Sequence, residues 1–209
     1  LISKDSDQGF PGNLIINCTY QLKNNFLIIK YDYKSDKATH VNLTNHSYWN
    51  LEKNNKNKIF DHEVRINSKK YLEINNNLIP TGKYKNIKNT IYDFSKFKKI
   101  KKKLNFLINR KVHQKMKGFD TTYVVQKNFK NYVASLKNSK TKIKIDFFSN
   151  LPGLQLYSAQ NLNYKKLLPY QGICLETQYF PDTPNKKNFP STLIKPNKNY
   201  KCFTKIVVN

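Results

Sequence analysis

An all-β fold, built as an antiparallel sandwich or barrel, is what this sequence predicts. Three observations predict it. Short runs of alternating apolar and polar residues recur along the chain, polar turn signals separate them, and a single stretch reads as helix. Alternation with period two turns one strand face to a core and the other to solvent. Many short strands joined by polar turns favour antiparallel pairing, because a parallel pair needs a long crossover.

The elements follow in order. Leu14 to Leu22 and Phe26 to Tyr33 flank Asn24-Asn25 and read as a hairpin. His62 to Ile74 alternates in part. Thr121 to Gln126, Tyr132 to Leu136 and Ile143 to Phe148 read as three more strands. Leu154 to Tyr157, Ile173 to Thr177 and Cys202 to Val208 continue the pattern. Turn signals stand at Pro80-Thr81-Gly82, Asn138-Ser139, Asn150 to Gly153 and Pro181-Asp182-Thr183-Pro184. The helical stretch runs from about Asp93 to Lys111. It holds the densest basic run, Lys98-Lys99-Ile100-Lys101-Lys102-Lys103, read as a solvated helix face or loop. No internal repeat and no boundary interrupts the pattern, so residues 1–209 are read as one domain, long enough to bury a sizeable core.

Composition narrows the function classes. Tyr (14) and Phe (13) supply much of the apolar surface, which disordered chains lack. The formal charge of +25 invites a nucleic-acid reading, but of 38 Lys+Arg only Arg65 and Arg110 are Arg, the side chain preferred for bidentate phosphate and guanine contacts. Lys, Asn and Ile are what A/T-rich codons encode, so the charge is assigned to mutational bias, and no specific nucleic-acid partner is expected. Cys18, Cys174 and Cys202 are odd in number and widely spaced, without a CxxC pair, which points to a reducing compartment and a cytoplasmic location. Residues 1–12 are polar and contain Pro11, so no signal peptide is read there, and no apolar run approaches the ~20 residues that span a bilayer. The six Gly form no P-loop or GxGxxG, and no GxSxG elbow is present. The four His (40, 46, 62 and 113) show no metal-ligand spacing, so no metal is expected.

The candidate chemistry starts at Glu176, one of four Glu, set in the apolar run Gly172-Ile173-Cys174-Leu175-Glu176-Thr177-Gln178. A carboxylate is costly to bury without a partner, and desolvation raises its pKa toward that of a base useful near neutrality. His46, in Asn42-Leu43-Thr44-Asn45-His46-Ser47-Tyr48-Trp49-Asn50, is the matching acid; its bland reading is a hydrogen-bonded His at a strand end. Asp120 opens a strand and suits ligand hydroxyls or a turn cap. Gln155 suits a hydroxyl or solvent. Tyr48 and Trp49 suit a sugar face or the core. Together these are the residue types of a sugar site.

In sequence order, a set of motifs carries a resemblance. They are Asp7-Gln8-Gly9-Phe10-Pro11-Gly12-Asn13-Leu14, Val41 to Tyr48, Asp61-His62, Ile79-Pro80-Thr81-Gly82 and Asp93-Phe94. Lys117-Gly118-Phe119-Asp120, Pro152-Gly153-Leu154-Gln155-Leu156-Tyr157, Cys174 to Gln178, Pro181 to Asn185 and Phe189-Pro190-Ser191 complete the set. Over nearly its whole length the chain resembles the aldose 1-epimerase (galactose mutarotase) family.

The resemblance implies a large antiparallel β-sandwich with a sugar groove on one sheet, and neither metal nor cofactor. Glu176 matches the base that takes the proton of the anomeric hydroxyl. His46 matches the acid that protonates the ring oxygen. Asp120 and Gln155 match positions that bind substrate hydroxyls, and Ser47, Tyr48 and Trp49 match a substrate-contact stretch. The implied reaction is exchange of the α and β anomers of free aldohexoses such as glucose and galactose. The family carries an N-terminal portion, with an Asn-Arg pair and another His, ahead of the Gly-Phe-Pro-Gly motif. This chain starts just before that motif and is therefore read as N-terminally truncated: a fragment, a truncated product or one part of a split protein. Trp49 replaces the usual Phe, Thr121 stands where His often follows the Asp, and Ser158 to Leu162 departs from the usual pattern. The rival readings are a non-catalytic sugar-binding remnant, a hexose-6-phosphate 1-epimerase and a basic nucleic-acid binder.

Overall fold

The computed structural model describes residues 1–109, 116–128 and 130–209. Among these residues the strands, numbered in chain order, form two main antiparallel sheets. The larger has eight strands in the spatial order β1 (Ile2–Ser3), β2 (Leu14–Lys23), β3 (Phe26–Ser35), β15 (Tyr200–Val208), β11 (Ile143–Ser149), β10 (Tyr132–Asn138), β5 (His62–Ile66) and β8 (Lys98–Lys99). The smaller has five, in the order β13 (Cys174–Gln178), β12 (Gly153–Tyr157), β9 (Asp120–Val125), β6 (Ser68–Ile74) and β7 (Pro80–Asn86). A ribbon of β4 (Thr39–His40) and β14 (Leu193–Ile194) stands apart.

Period-two alternation builds one continuous core between the sheets. The larger sheet contributes Ile29, Tyr31, Val64, Leu136, Ile145, Phe147 and Ile206; the smaller contributes Tyr123, Leu154, Leu156 and Leu175. Leu154 and Leu156 are wholly buried. Each such side chain contributes roughly 1.5–3 kcal/mol by leaving water. The two layers also touch through Thr177 and Thr204, whose hydroxyls lie 2.5 Å apart. The sandwich expected from the sequence is what forms.

Three local expectations are corrected. The run His62 to Ile74 is two strands in different sheets, divided at Asn67. The Asn67 side chain donates to the carbonyls of Gln126 and Tyr132, so one amide fastens the crossing to both layers. Pro80-Thr81-Gly82 is the start of β7, not a turn. β7 is an edge strand, where a missing N–H costs nothing at the first residue. The turn lies just before it, where Asn75 Oδ1 accepts from the N–H groups of Asn77 and Ile79. The helix, α1, spans Ile100–Asn109 rather than beginning at Asp93. Asp93 instead folds its carboxylate onto the Ser95 N–H and hydroxyl and pairs with Lys98, a local bond that competes with helix. Ile100, Leu104 and Leu107 form the buried stripe, and Lys101 and Lys102 are solvated as expected. Lys103 is half-buried and donates to the carbonyls of Thr90 and Ile91. Arg110, Lys111 and His113 lie outside the described residues.

Candidate functional site

The smaller sheet carries the site on the face turned away from the core. In β13, Leu175 and Thr177 point inward, so Cys174 and Glu176 share the opposite face. Register then aligns the neighbours. Glu176 stands opposite Gln155, and Gln155 opposite Thr122. Cys174 stands opposite Tyr157, and Tyr157 opposite Asp120. Two cross-strand rows of polar and aromatic groups result.

The residues 42–49 lie alongside β13 and bring in the imidazole. The Thr44 hydroxyl donates to the Thr177 carbonyl at 3.0 Å, and the Tyr31 hydroxyl donates to the Thr44 carbonyl at 3.0 Å. Trp49 and Ile173 exchange two backbone hydrogen bonds of 2.9 Å. His46, between these anchors, is held over the sheet. Its Nε2 lies 3.5 Å from Glu176 Oε1, and its Nδ1 lies 3.5 Å from Cys174 Sγ. Gly172 permits the close passage, since a Cβ there would sit 2.9 Å from Tyr48 Cβ.

Burial tunes the acidic groups. Glu176 is only 6% exposed, and loss of water pushes its carboxyl up to about 7, against the pull of a charged His46. The neighbouring Asp120 carboxylate pushes the same way. Asp120 is itself raised by burial, opposed by the hydrogen bond it accepts from Gln155 Nε2 at 2.5 Å. Gln155 Oε1 in turn accepts from the Thr122 hydroxyl. This chain of hydrogen bonds fixes which way the amide points. The Cys174 thiol is driven far above its ordinary range by burial and by the Glu176 and Asp120 charges, so it stays protonated. His46, with its side chain 47% exposed, faces solvent over this row.

The structure thus brings together Glu176, His46, Asp120, Gln155 and Tyr48, the last with its ring 4.9 Å from His46. Trp49 is a correction: its ring stacks edge-on against core Phe147 at 5.8 Å and packs with the core, so it does not face the site. Trp49 is held by its isolated bridge to Ile173, while the adjacent Tyr48 ring lies against His46. Ser47 binds its hydroxyl to Asn45 Oδ1 at 2.6 Å, a local turn contact. Two neighbours escaped sequence reasoning as site residues: Cys174, and Tyr157, whose ring lies 6.0 Å from His46. Each lies two positions from a named residue on the same strand, so the period of two was the available signal. His62, by contrast, is a core histidine: Nε2 accepts from the Leu51 N–H at 2.7 Å and Nδ1 faces the Ile59 carbonyl. A recess of about 770 Å³ lined by Lys70, Tyr84, Val124, Phe180 and Phe189 does not include the His46–Glu176 pair. Solvent reaches the pair chiefly through the half-exposed His46 imidazole, with Glu176 and Cys174 buried beneath it.

Comparisons with known proteins agree with this fold. The family model described as aldose 1-epimerase matches residues 1–206. The galactose mutarotase of Homo sapiens is 34% identical over 211 residues, covering 95% of this chain and 58% of that protein. The aldose 1-epimerase of Haemophilus influenzae is 36% identical over 193 residues, covering 88% of this chain and 56% of that protein. Among solved structures, galactose 1-epimerase from Lactobacillus acidophilus NCFM superimposes with a TM-score of 0.87 at 26% identity, over 100% of this chain and 61% of that one. The chain therefore spans a little over half the length of the curated relatives it matches.

Proposed function

Since this chain belongs to the aldose 1-epimerase family, we propose that it exchanges the α and β anomers of a free aldohexose such as glucose or galactose. The observation that carries this reading is the 3.5 Å approach of His46 Nε2 to Glu176 Oε1 on one sheet face. The anomeric hydroxyl and the ring oxygen hang on the same sugar carbon, so the acid and base that serve them must be neighbours. Glu176, raised to about 7, is a base strong enough to take the hydroxyl proton and weak enough to return it.

Glu176 takes the O1 proton, and the O1–H pair becomes the second bond of the C1 carbonyl. The C1–O5 bond breaks with its pair on O5, which takes the proton of the His46 imidazolium. The open aldehyde turns about C1–C2. In closure O5 attacks the other carbonyl face, His46 recovers its proton and Glu176 returns one to O1. Asp120 and Gln155, locked to each other, offer an acceptor and an amide for ring hydroxyls, and Tyr48 and Tyr157 offer aromatic surface for the ring's apolar face. Three unpaired cysteines suit a reducing, cytoplasmic setting. No described helix is long and apolar enough to cross a membrane.

Polarimetry of freshly dissolved α-D-galactose and α-D-glucose tests the reading. The expected result is a rate above buffer that is lost in both Glu176→Gln and His46→Ala. Exchange that survives Glu176→Gln overturns the mechanism. Saturable sugar binding with no added exchange would leave a sugar site and remove the catalysis.

A further inference from the structure

We propose that His46, Cys174 and Glu176 also form a site for a soft divalent cation of the zinc class, which competes with sugar. The metal site stands on its own geometry; only the competition rests on the sugar reading above.

The three side chains offer one nitrogen, one sulfur and one oxygen, and these donor atoms lie within 4.8 Å of one another. The imidazole lies between the other two ligands, with Nδ1 3.5 Å from Sγ and Nε2 3.5 Å from Oε1, so any one nitrogen is shown close to only one of them. In a tetrahedral zinc site, bonds of about 2.0 Å to nitrogen or oxygen and about 2.3 Å to sulfur set ligand atoms about 3.3–3.5 Å apart. Each ring nitrogen is on that scale with one ligand, and closing the set within its 4.8 Å bound requires the half-exposed imidazole to turn so that one nitrogen faces both Sγ and Oε1. Cys174 and Glu176 are rigidly placed, because a Cys-x-Glu spacing on a strand projects both side chains from one face. The solvent side beyond His46 leaves a fourth position for water, as in zinc sites that keep one coordination place open.

Charge and softness favour the same occupant. The His46 charge lowers the pKa of both Glu176 and Asp120, so this pair of acids responds to a cation placed beside it. A bound cation would add positive charge beside the buried Glu176 and the half-buried Asp120. A thiolate and an imidazole select zinc or cadmium over magnesium or calcium. As the S–metal bond forms, the thiol proton leaves to solvent and the sulfur keeps its pair for the metal. The same bonds occupy Glu176 and His46, so the loaded protein cannot exchange anomers.

The test uses the Cys18→Ser protein, which lacks the one exposed thiol. Titration with Cd²⁺ should produce a saturable thiolate-to-cadmium ultraviolet band that is absent in Cys174→Ser. Calorimetry with Zn²⁺ should show binding, and with Mg²⁺ none. Changes to an outer partner of a metal typically cost about 10–100-fold in affinity, so losing a direct ligand in Cys174→Ser or His46→Ala should weaken Zn²⁺ by at least about tenfold. His46→Ala decides the matter if the buried substitution fails to fold. No band in the parent protein, or unchanged Zn²⁺ affinity in His46→Ala, overturns the site. Saturating D-galactose should raise the apparent Zn²⁺ dissociation constant. If Zn²⁺ binds as described and galactose leaves it unmoved, the metal site stands and the placement of sugar over this pair falls.

Discussion

Glu176→Gln should make the protein more stable at alkaline pH while sharply lowering the proposed anomer exchange. The substitution keeps the shape of the side chain and removes its charge. In the folded chain the carboxyl is raised from an ordinary 4.5 to about 7, chiefly by burial, which corresponds to about 3 kcal/mol of penalty on the ionised form. The sign follows from proton binding. Below pH 4.5 both the folded and unfolded chains hold the proton, so the penalty is absent. Between 4.5 and about 7 the unfolded chain releases its proton first, and folding stability falls as pH rises. Above about 7 the loss is complete. Glutamine has no proton to release, so the variant escapes this loss, and groups that do not interact with Glu176 cancel in the comparison, whereas His46 and Asp120 do not. Urea denaturation of both proteins at pH 4 and pH 8 should show the variant gaining about 3 kcal/mol relative to the parent between the two conditions. Loss of the base should lower exchange by about 10²–10⁴-fold in the same preparation. An identical pH dependence of stability in the two proteins would refute the desolvation argument.

Three other outcomes follow from the site. His46→Ala should remove exchange by about 10²–10⁴-fold in polarimetry, yet shift stability by only about 0.5 kcal/mol, because the ring is half-exposed. Asp120→Asn should lower the pH at which activity appears, since its charge helps hold Glu176 protonated. It should also raise the sugar KM by roughly tenfold, the scale of a hydrogen bond to a charged group; a pH–rate profile reads both. Gly172→Ala should push Tyr48 away and cost about 1–3 kcal/mol by overpacking, read by thermal denaturation, with a sugar affinity that falls alongside.

Strand existence was legible where alternation was strong. The hairpin of β2 and β3 follows directly from Asn24-Asn25 and the flanking runs, and its register places Asn24 and Asn25 outside the paired residues. The crossing at Asn67 was not legible, because alternation reports which faces are buried and not which sheet receives the strand. The helix start was missed because a side-chain bond from Asp93 outweighed propensity. Glu176 stood out in sequence, since a lone acid in an apolar run has few bland explanations. Trp49 did not sort correctly, as adjacent aromatics suit core or site alike and the sequence does not say which faces in. Ligand spacing also failed to indicate the His46–Cys174–Glu176 trio, because its nitrogen comes from a loop 128 residues away from the thiol.

The placement of β15 governs how this protein can be made. It lies inside the larger sheet, hydrogen-bonded to β3 on one side and β11 on the other. Every strand it joins leaves the ribosome first. Until Tyr200–Val208 emerges, the β1–β2–β3 meander and the β11–β10–β5 group share no partner in that layer, and each presents an open edge. Such sequence-distant pairing is slow, because closing a long loop precedes any gain from contact. Translation stalled before residue 200 should therefore leave a sticky, protease-sensitive nascent chain, and deletion of those nine residues should split the layer rather than trim its rim.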